Sequence, residues 1–187
     1  MEKLKKDILA LMRQVYPGDD RVIVFGEGPR GAKLMLIGEA PGQQEALMGR
    51  PFVGKAGKNL DAYIEATGLR REEMYISNTV KFRPTKISPA GRTVIRTPTQ
   101  EEIAMFLPFL KREIELVAPA VIVTLGNVPL KALAGDKATI GEMHGRPIQA
   151  GGRMVFPMYH PASLIYNPSL KPVYAADMAE LAKIVEN

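Results

Sequence analysis

Five residues in this chain have side chains and placements suited to a site, Glu39, Glu45, Phe52, Asn78 and His160, and the last three together suit a flat, polar heterocycle. The first three lie in one loop. It begins at Gly38-Glu39-Ala40-Pro41-Gly42, continues through Gly49-Arg50-Pro51-Phe52-Val53-Gly54-Lys55-Ala56-Gly57, and follows the apolar run Leu34-Met35-Leu36-Ile37. Asn78 closes a second apolar run, Met74 to Ser77, and His160 follows a third, Met154 to Tyr159. An aromatic ring can stack on a planar base, a side-chain amide offers its edge one donor and one acceptor, and an imidazole can donate to an oxygen gaining charge. Taken singly, each has an ordinary explanation: Asn as a turn former, His before Pro as packing, Phe as core. Their arrival at successive strand ends favours a site, because a site needs groups from several segments.

The elements that must position them read as alternating strands and helices. Leu4, Ile8, Leu11, Met12 and Val15 fall at helical spacing before Pro17-Gly18-Asp19-Asp20. Arg21 to Phe25 reads as a short edge strand. The main strand and its loop come next, then a helix carrying Leu60, Tyr63 and Ile64 and ended by Gly68. Residues 79–98 lose all periodicity and carry Lys81, Arg83, Lys86, Arg92 and Arg96 with no acid, which is either a solvated loop or an arm that contacts phosphates. Thr99 and Glu102 have capping-box spacing, opening a helix to about Val117 with a kink expected at Pro108. Ala120 to Gly126 is a further buried strand, Asn127 is placed to cap a short helix, and Val173, Ala176, Met178, Leu181 and Ile184 carry the last helix. The pattern implies an α/β three-layer sandwich around a central, mostly parallel four-stranded sheet. In such sheets ligands bind beyond the carboxyl ends of the strands, where these residues collect.

Composition narrows the chemistry. With 187 residues, 46% of them hydrophobic, one domain spanning 1–187 is expected. A net charge of +5 and a pI near 9.4 point to a polyanionic partner. The absence of cysteine excludes thiol catalysis and thiolate-held metals, and His144 and His160 are the only imidazoles, so no metal and no cofactor are expected. No signal core or membrane-length apolar run is visible, so a soluble, cytoplasmic, monomeric protein is expected.

The amide of Asn78 matches uracil, which presents a carbonyl beside an N–H; cytosine presents an amino group beside a bare ring nitrogen. A site built for one such edge can reject the other by ~10⁴-fold. His160 would then donate to the carbonyl oxygen that gains charge as the base leaves its sugar.

The loop motifs, together with Asn78, His160-Pro161-Ala162 and Asn167-Pro168, resemble the type-4 branch of the uracil-DNA glycosylase superfamily over nearly the whole chain. The resemblance implies hydrolysis of the N-glycosidic bond of uracil flipped out of DNA, for base-excision repair. It implies that Phe52 stacks, that Asn78 reads the base edge, and that His160 stabilises the departing anion. Glu39 would help to place the attacking water, Glu45 would exclude the thymine methyl, and Ala40 would stand at the base where other branches carry a water-activating Asp. Gly54, Lys81, Arg83, Arg92 and Tyr166 are the expected DNA contacts, Tyr166 as a wedge filling the gap left by the flipped base.

The departures are specific. Type-4 members usually hold an iron–sulfur cluster on four cysteines, and two of those positions are Phe82 and Phe106 here, so apolar packing is expected to anchor the loop in its place. An acid usually follows Glu45, where this chain has Ala46, and a basic residue is common where it has Tyr166. Uracil, hypoxanthine and xanthine all stay open as substrates. Two rival readings are a catalytically silent DNA-binding module of the same fold and a nucleotide-binding protein. The latter rests on Gly49 to Ala56, which nearly spells a triphosphate loop but lacks its magnesium-binding hydroxyl at Ala56 and starts well after its strand.

Overall fold

The computed structural model describes residues 1–186. The strands β1 (Leu34–Gly38), β2 (Tyr75–Asn78), β5 (Val121–Leu125), β6 (Ile148–Ala150) and β7 (Arg153–Met158) form a five-stranded sheet in the order β2-β1-β5-β7-β6. The four expected strands are present and mutually parallel; β6 adds an antiparallel edge paired to β7. That fifth strand was missed because Gly151-Gly152 makes a tight hairpin from a sequence with little apolar alternation.

Alternation along β1 builds the two cores. Leu34 and Leu36 pack on one face with Leu60 and Ile64 of α3 (Lys55–Ala66) and Met178 and Leu181 of α8 (Lys171–Glu186). Met35 and Ile37 pack on the other with Leu110, Ile114 and Val117 of α4 (Gln100–Val117). The result is three layers, with every β1 and β2 side chain buried. The first turn of α4 has the expected capping box, Thr99 accepting from the Glu102 N–H and Glu102 from the Thr99 N–H, and the helix runs unbroken through Pro108.

Three local expectations are corrected. Residues 21–25 form no ladder strand; Val24 donates its N–H to the Lys81 carbonyl and only Glu27 bridges to Ile76. Asn127 does not cap α5 (Asn127–Ala134), whose N-cap is Gly126, but accepts the Ile140 N–H at the start of α6 (Ile140–Met143). Residues 79–98 are not structureless, since β3 (Thr85–Ile87) and β4 (Thr93–Ile95) pair as an antiparallel hairpin. Arg96 fastens that hairpin, donating to the Thr85 carbonyl and to both Glu102 carboxylate oxygens at 2.7 Å. The guanidinium holds Glu102 below the usual carboxylate range.

A third core lies beneath the arm. Phe82 and Phe106 are fully buried, with ring centroids 5.7 Å apart edge to face, among Leu4, Ile8 and Met12 of α1 (Glu2–Val15). The Arg21 guanidinium lies 4.4 Å from the Phe82 ring and 4.3 Å from that of Tyr16. Two phenylalanine rings, one with a guanidinium over its face, stand where the resemblance implied two of the four cluster thiolates, so these residues do not fit an iron–sulfur group.

Lys81, expected to reach DNA, is corrected outright. It is completely buried, and Nζ donates to Glu113 Oε2 at 2.5 Å, Ser77 Oγ at 2.6 Å and the Asn78 carbonyl at 2.9 Å. Glu113 also accepts from Tyr75 Oη and Ser77 Oγ. All three ammonium protons are therefore used inside the protein. Replacing Lys81 with Met leaves Glu113 buried without its counter-ion and should destabilise the fold by about 3–5 kcal/mol in urea unfolding. Lys81→Met with Glu113→Leu should recover most of that loss.

Candidate base-binding site

The order β2-β1-β5 makes β1 the point where the chain turns first to one side of the sheet and then to the other. Just beyond it lies a cavity of about 170 Å³ lined by Ala40, Gly42, Glu45, Phe52, Ala56, Asn78, Ile95, His160 and Ala162. The volume is below the ~300–1,000 Å³ of pockets for drug-sized ligands, and suits a single base. A roomier depression along α4 and α5, about 480 Å³, receives none of the candidate groups.

Asn78 is 3% exposed, and its Oδ1 is buried without a hydrogen-bond partner among the described residues. Leaving a buried carbonyl unpaired costs about 1–3 kcal/mol, a cost that an N–H supplied from the cavity would remove. Gly38, opposite Asn78 in the ladder, is required here: a methyl group on it would collide with Asn78 Oδ1 and the Phe52 ring. The backbone beyond is tied across the sheet edge, Thr79 N–H to the Gly38 carbonyl and Val80 N–H to that of Glu39.

His160 follows β7 and brings its ring to 5.7 Å from that of Phe52, tilted by 33°. Its Nδ1 accepts the Ala162 backbone N–H at 3.1 Å. An acceptor Nδ1 fixes the neutral tautomer with its proton on Nε2. Burial opposes the cation as well, lowering the pKa to about 4 despite the attraction of Glu45. At neutral pH the imidazole is an uncharged N–H donor.

Phe52 holds the left-handed backbone conformation, φ 52°, in the turn between α2 (Gln43–Met48) and α3. For a residue with a side chain such a conformation costs about 1–3 kcal/mol. Glu45, in α2, lines the cavity while its Oε1 accepts the N–H groups of Val53 and Gly54 at 2.9 and 2.8 Å. It thereby satisfies donors at the start of α3, a contact the sequence reading did not foresee. Gly54's N–H is consequently occupied and not free for a phosphate. Glu39 stands next to the lining, half-buried, and desolvation raises its carboxyl above the ordinary value. Among the described residues no three His, Asp or Glu side chains gather as a metal site.

The expected DNA contacts are distributed unevenly. Arg92 is exposed beside the hairpin turn, Arg83 is half-buried with Nε unpartnered, and Tyr166 ends α7 (Ser163–Tyr166) 86% exposed. Ile95, half-exposed on β4, was missed although Thr85, Ile87, Thr93, Val94 and Ile95 flanking Gly91 carry a hairpin signal. Gly49 to Gly54 turns between two helices and forms no triphosphate cradle after a strand.

These features have relatives. A sequence profile described as "Uracil DNA glycosylase superfamily" matches residues 25–183. The chain is 42% identical over 149 residues to a "Type-4 uracil-DNA glycosylase" of Thermotoga maritima, covering 79% of this chain and 73% of that one. It is 34% identical over 196 residues to a protein of the same name from Sulfurisphaera tokodaii, covering 98% and 84%. The solved structure titled "The crystal structure of WT Pedobacter heparinus SMUG2" superposes with a TM-score of 0.58 at 15% identity, covering 100% of this chain and 85% of that one, and shares the fold. Sequence, topology and the residues gathered at the sheet edge agree: the chain belongs to the uracil-DNA glycosylase superfamily.

Proposed function

We propose that the protein is a monofunctional DNA glycosylase that removes uracil from DNA at the start of base-excision repair, working as a single-domain cytoplasmic monomer without a cofactor. The observation that carries the reading is the unpaired, buried Oδ1 of Asn78 in a base-sized cavity that also receives the neutral His160. Oδ1 accepts the uracil N3–H, and the amide NH₂ donates to the adjacent carbonyl. Cytosine has no proton at that ring nitrogen and leaves Oδ1 unpaired. Phe52 stacks on the base, and Glu45 closes the side that a thymine methyl would need.

In the reaction water attacks the sugar C1′, the C1′–N1 bond breaks with its electron pair leaving on uracil, and the proton lost by the water ends through solvent on the uracil anion. His160 Nε2–H donates to the carbonyl oxygen on which that charge collects, a stabilisation of about 3 kcal/mol for one well-aligned donor. Glu39 orients the water. Flipping the nucleotide costs a few kcal/mol, least in mispairs, and Tyr166 fills the vacated stack. Phosphates are held by Arg83 and Arg92 around the hairpin.

The test is cleavage of labelled oligonucleotides carrying one uracil, hypoxanthine or xanthine, followed by alkali. Cutting at uracil is expected, faster opposite G than opposite A, and Asn78→Ala and His160→Ala should each slow single-turnover cutting about 10²–10³-fold. No cutting at any base with DNA binding intact would make the protein a reader of DNA instead. The hairpin has its own test. Changing Arg83 and Arg92 together to Ala should reduce the slope of log affinity against log salt by about two, and an unchanged slope would remove the arm from the interface.

A further inference from the structure

Arg71 lies outside the cavity lining, on a short 3₁₀ turn before β2, yet it grips the backbone that presents Phe52. Its Nη1 donates to the Phe52 carbonyl at 3.1 Å and its Nη2 to the Pro51 carbonyl at 2.9 Å. The guanidinium is itself aimed by Asp61 Oδ1, which accepts from Nη1 at 2.7 Å, and by Glu27 Oε1, 3.6 Å from Nη2. Among the described residues Phe52 and Ala118 alone are non-glycines with positive φ, and Ala118 is a helix C-cap, where that conformation is common. Phe52 has no such setting. A left-handed Phe persists only where its surroundings over-determine it.

Those surroundings are few. Glu45 holds the N–H groups that follow Phe52, and Gly57 lets α3 lie directly against the Phe52 carbonyl, where a methyl group would collide. Among the described residues only Arg71 holds the carbonyls of the turn by side-chain hydrogen bonds. We infer that Arg71 is a positioning residue for base excision: its planar fork clamps the 51–52 turn so that the Phe52 ring stays in the cavity as a stacking surface. The inference rests on the glycosylase reading for its consequence and on this geometry for its cause. A lysine ammonium presents its protons from a single nitrogen and lacks the two spaced nitrogens that here reach the Phe52 and Pro51 carbonyls while Asp61 holds the same fork.

The test is a double-mutant cycle. Arg71→Met should lower kcat/KM on uracil-containing DNA about 10²-fold, weaken inhibition by free uracil at least about tenfold, and leave affinity for uracil-free duplex unchanged. Arg71→Lys should behave like Arg71→Met. In the Phe52→Ala background Arg71→Met should add little, because the ring it positions is gone. Losses that multiply, or full activity in Arg71→Lys, would overturn the clamp. A second readout needs no activity: the nuclear Overhauser contact between the Phe52 and His160 rings should weaken in Arg71→Met while the melting transition stays cooperative, and an unchanged contact would also overturn it. Wild-type protein that cuts no base would sink the glycosylase reading alone, with the ring contact still deciding the clamp.

Discussion

The buried ion pair between Lys81 and Glu113 is the constraint on which the rest of the site depends. It joins the end of β2 to α4 in the interior, and by holding the Asn78 carbonyl it fixes the backbone from which the Asn78 amide projects. Two charges withdrawn from water are tolerable only when every proton and lone pair finds a partner, and here Tyr75 and Ser77 complete the set. Asn78 Oδ1, a few atoms away, stands apart from that satisfied network as an acceptor with no partner among the described residues. Full satisfaction behind the amide and none in front of it is the arrangement expected of a preorganised recognition group.

Around that amide the protein arranges two further groups by local means. The Ala162 N–H sets the His160 tautomer, and Glu45 with Arg71 holds a turn that a phenylalanine would not adopt unaided. Both devices are small, one hydrogen bond or a few. They work because the parallel sheet has already brought the ends of β1, β2 and β7 within reach of one another. The hairpin contributes Ile95 to the cavity wall and is itself secured by Arg96 and Glu102.

Most of the fold was legible because β1, β2, β5 and β7 are short, mostly apolar runs closed by Gly, Asn or His, and their length and turn-rich flanks favour strands between the helical periods. Asn78 and His160 could be singled out as candidates because each directly follows a strand run, whereas Phe52, in the turn between α2 and α3, stood out only as the aromatic of a glycine-rich loop. Lys81 was misread because a cation in a basic stretch looks solvated, and its acid, Glu113, is remote in sequence and becomes its neighbour only once α4 packs on the sheet. Arg71 left no signal, since its role depends on two backbone carbonyls, which no side-chain pattern reports. The hairpin was hidden by three prolines and by strands only three residues long.

In the proposed reaction His160 is a neutral Nε2–H donor facing the base held by Asn78. The direct measurement is ¹⁵N NMR of histidine-labelled protein across a pH titration, in which His144 and His160 are the only signals to assign. The expected result is a neutral His160 ring with its proton on Nε2 from pH 8 down to 5, taking a second proton only toward pH about 4. A ring protonated on Nδ1, or one that titrates near the ordinary histidine value, would contradict it.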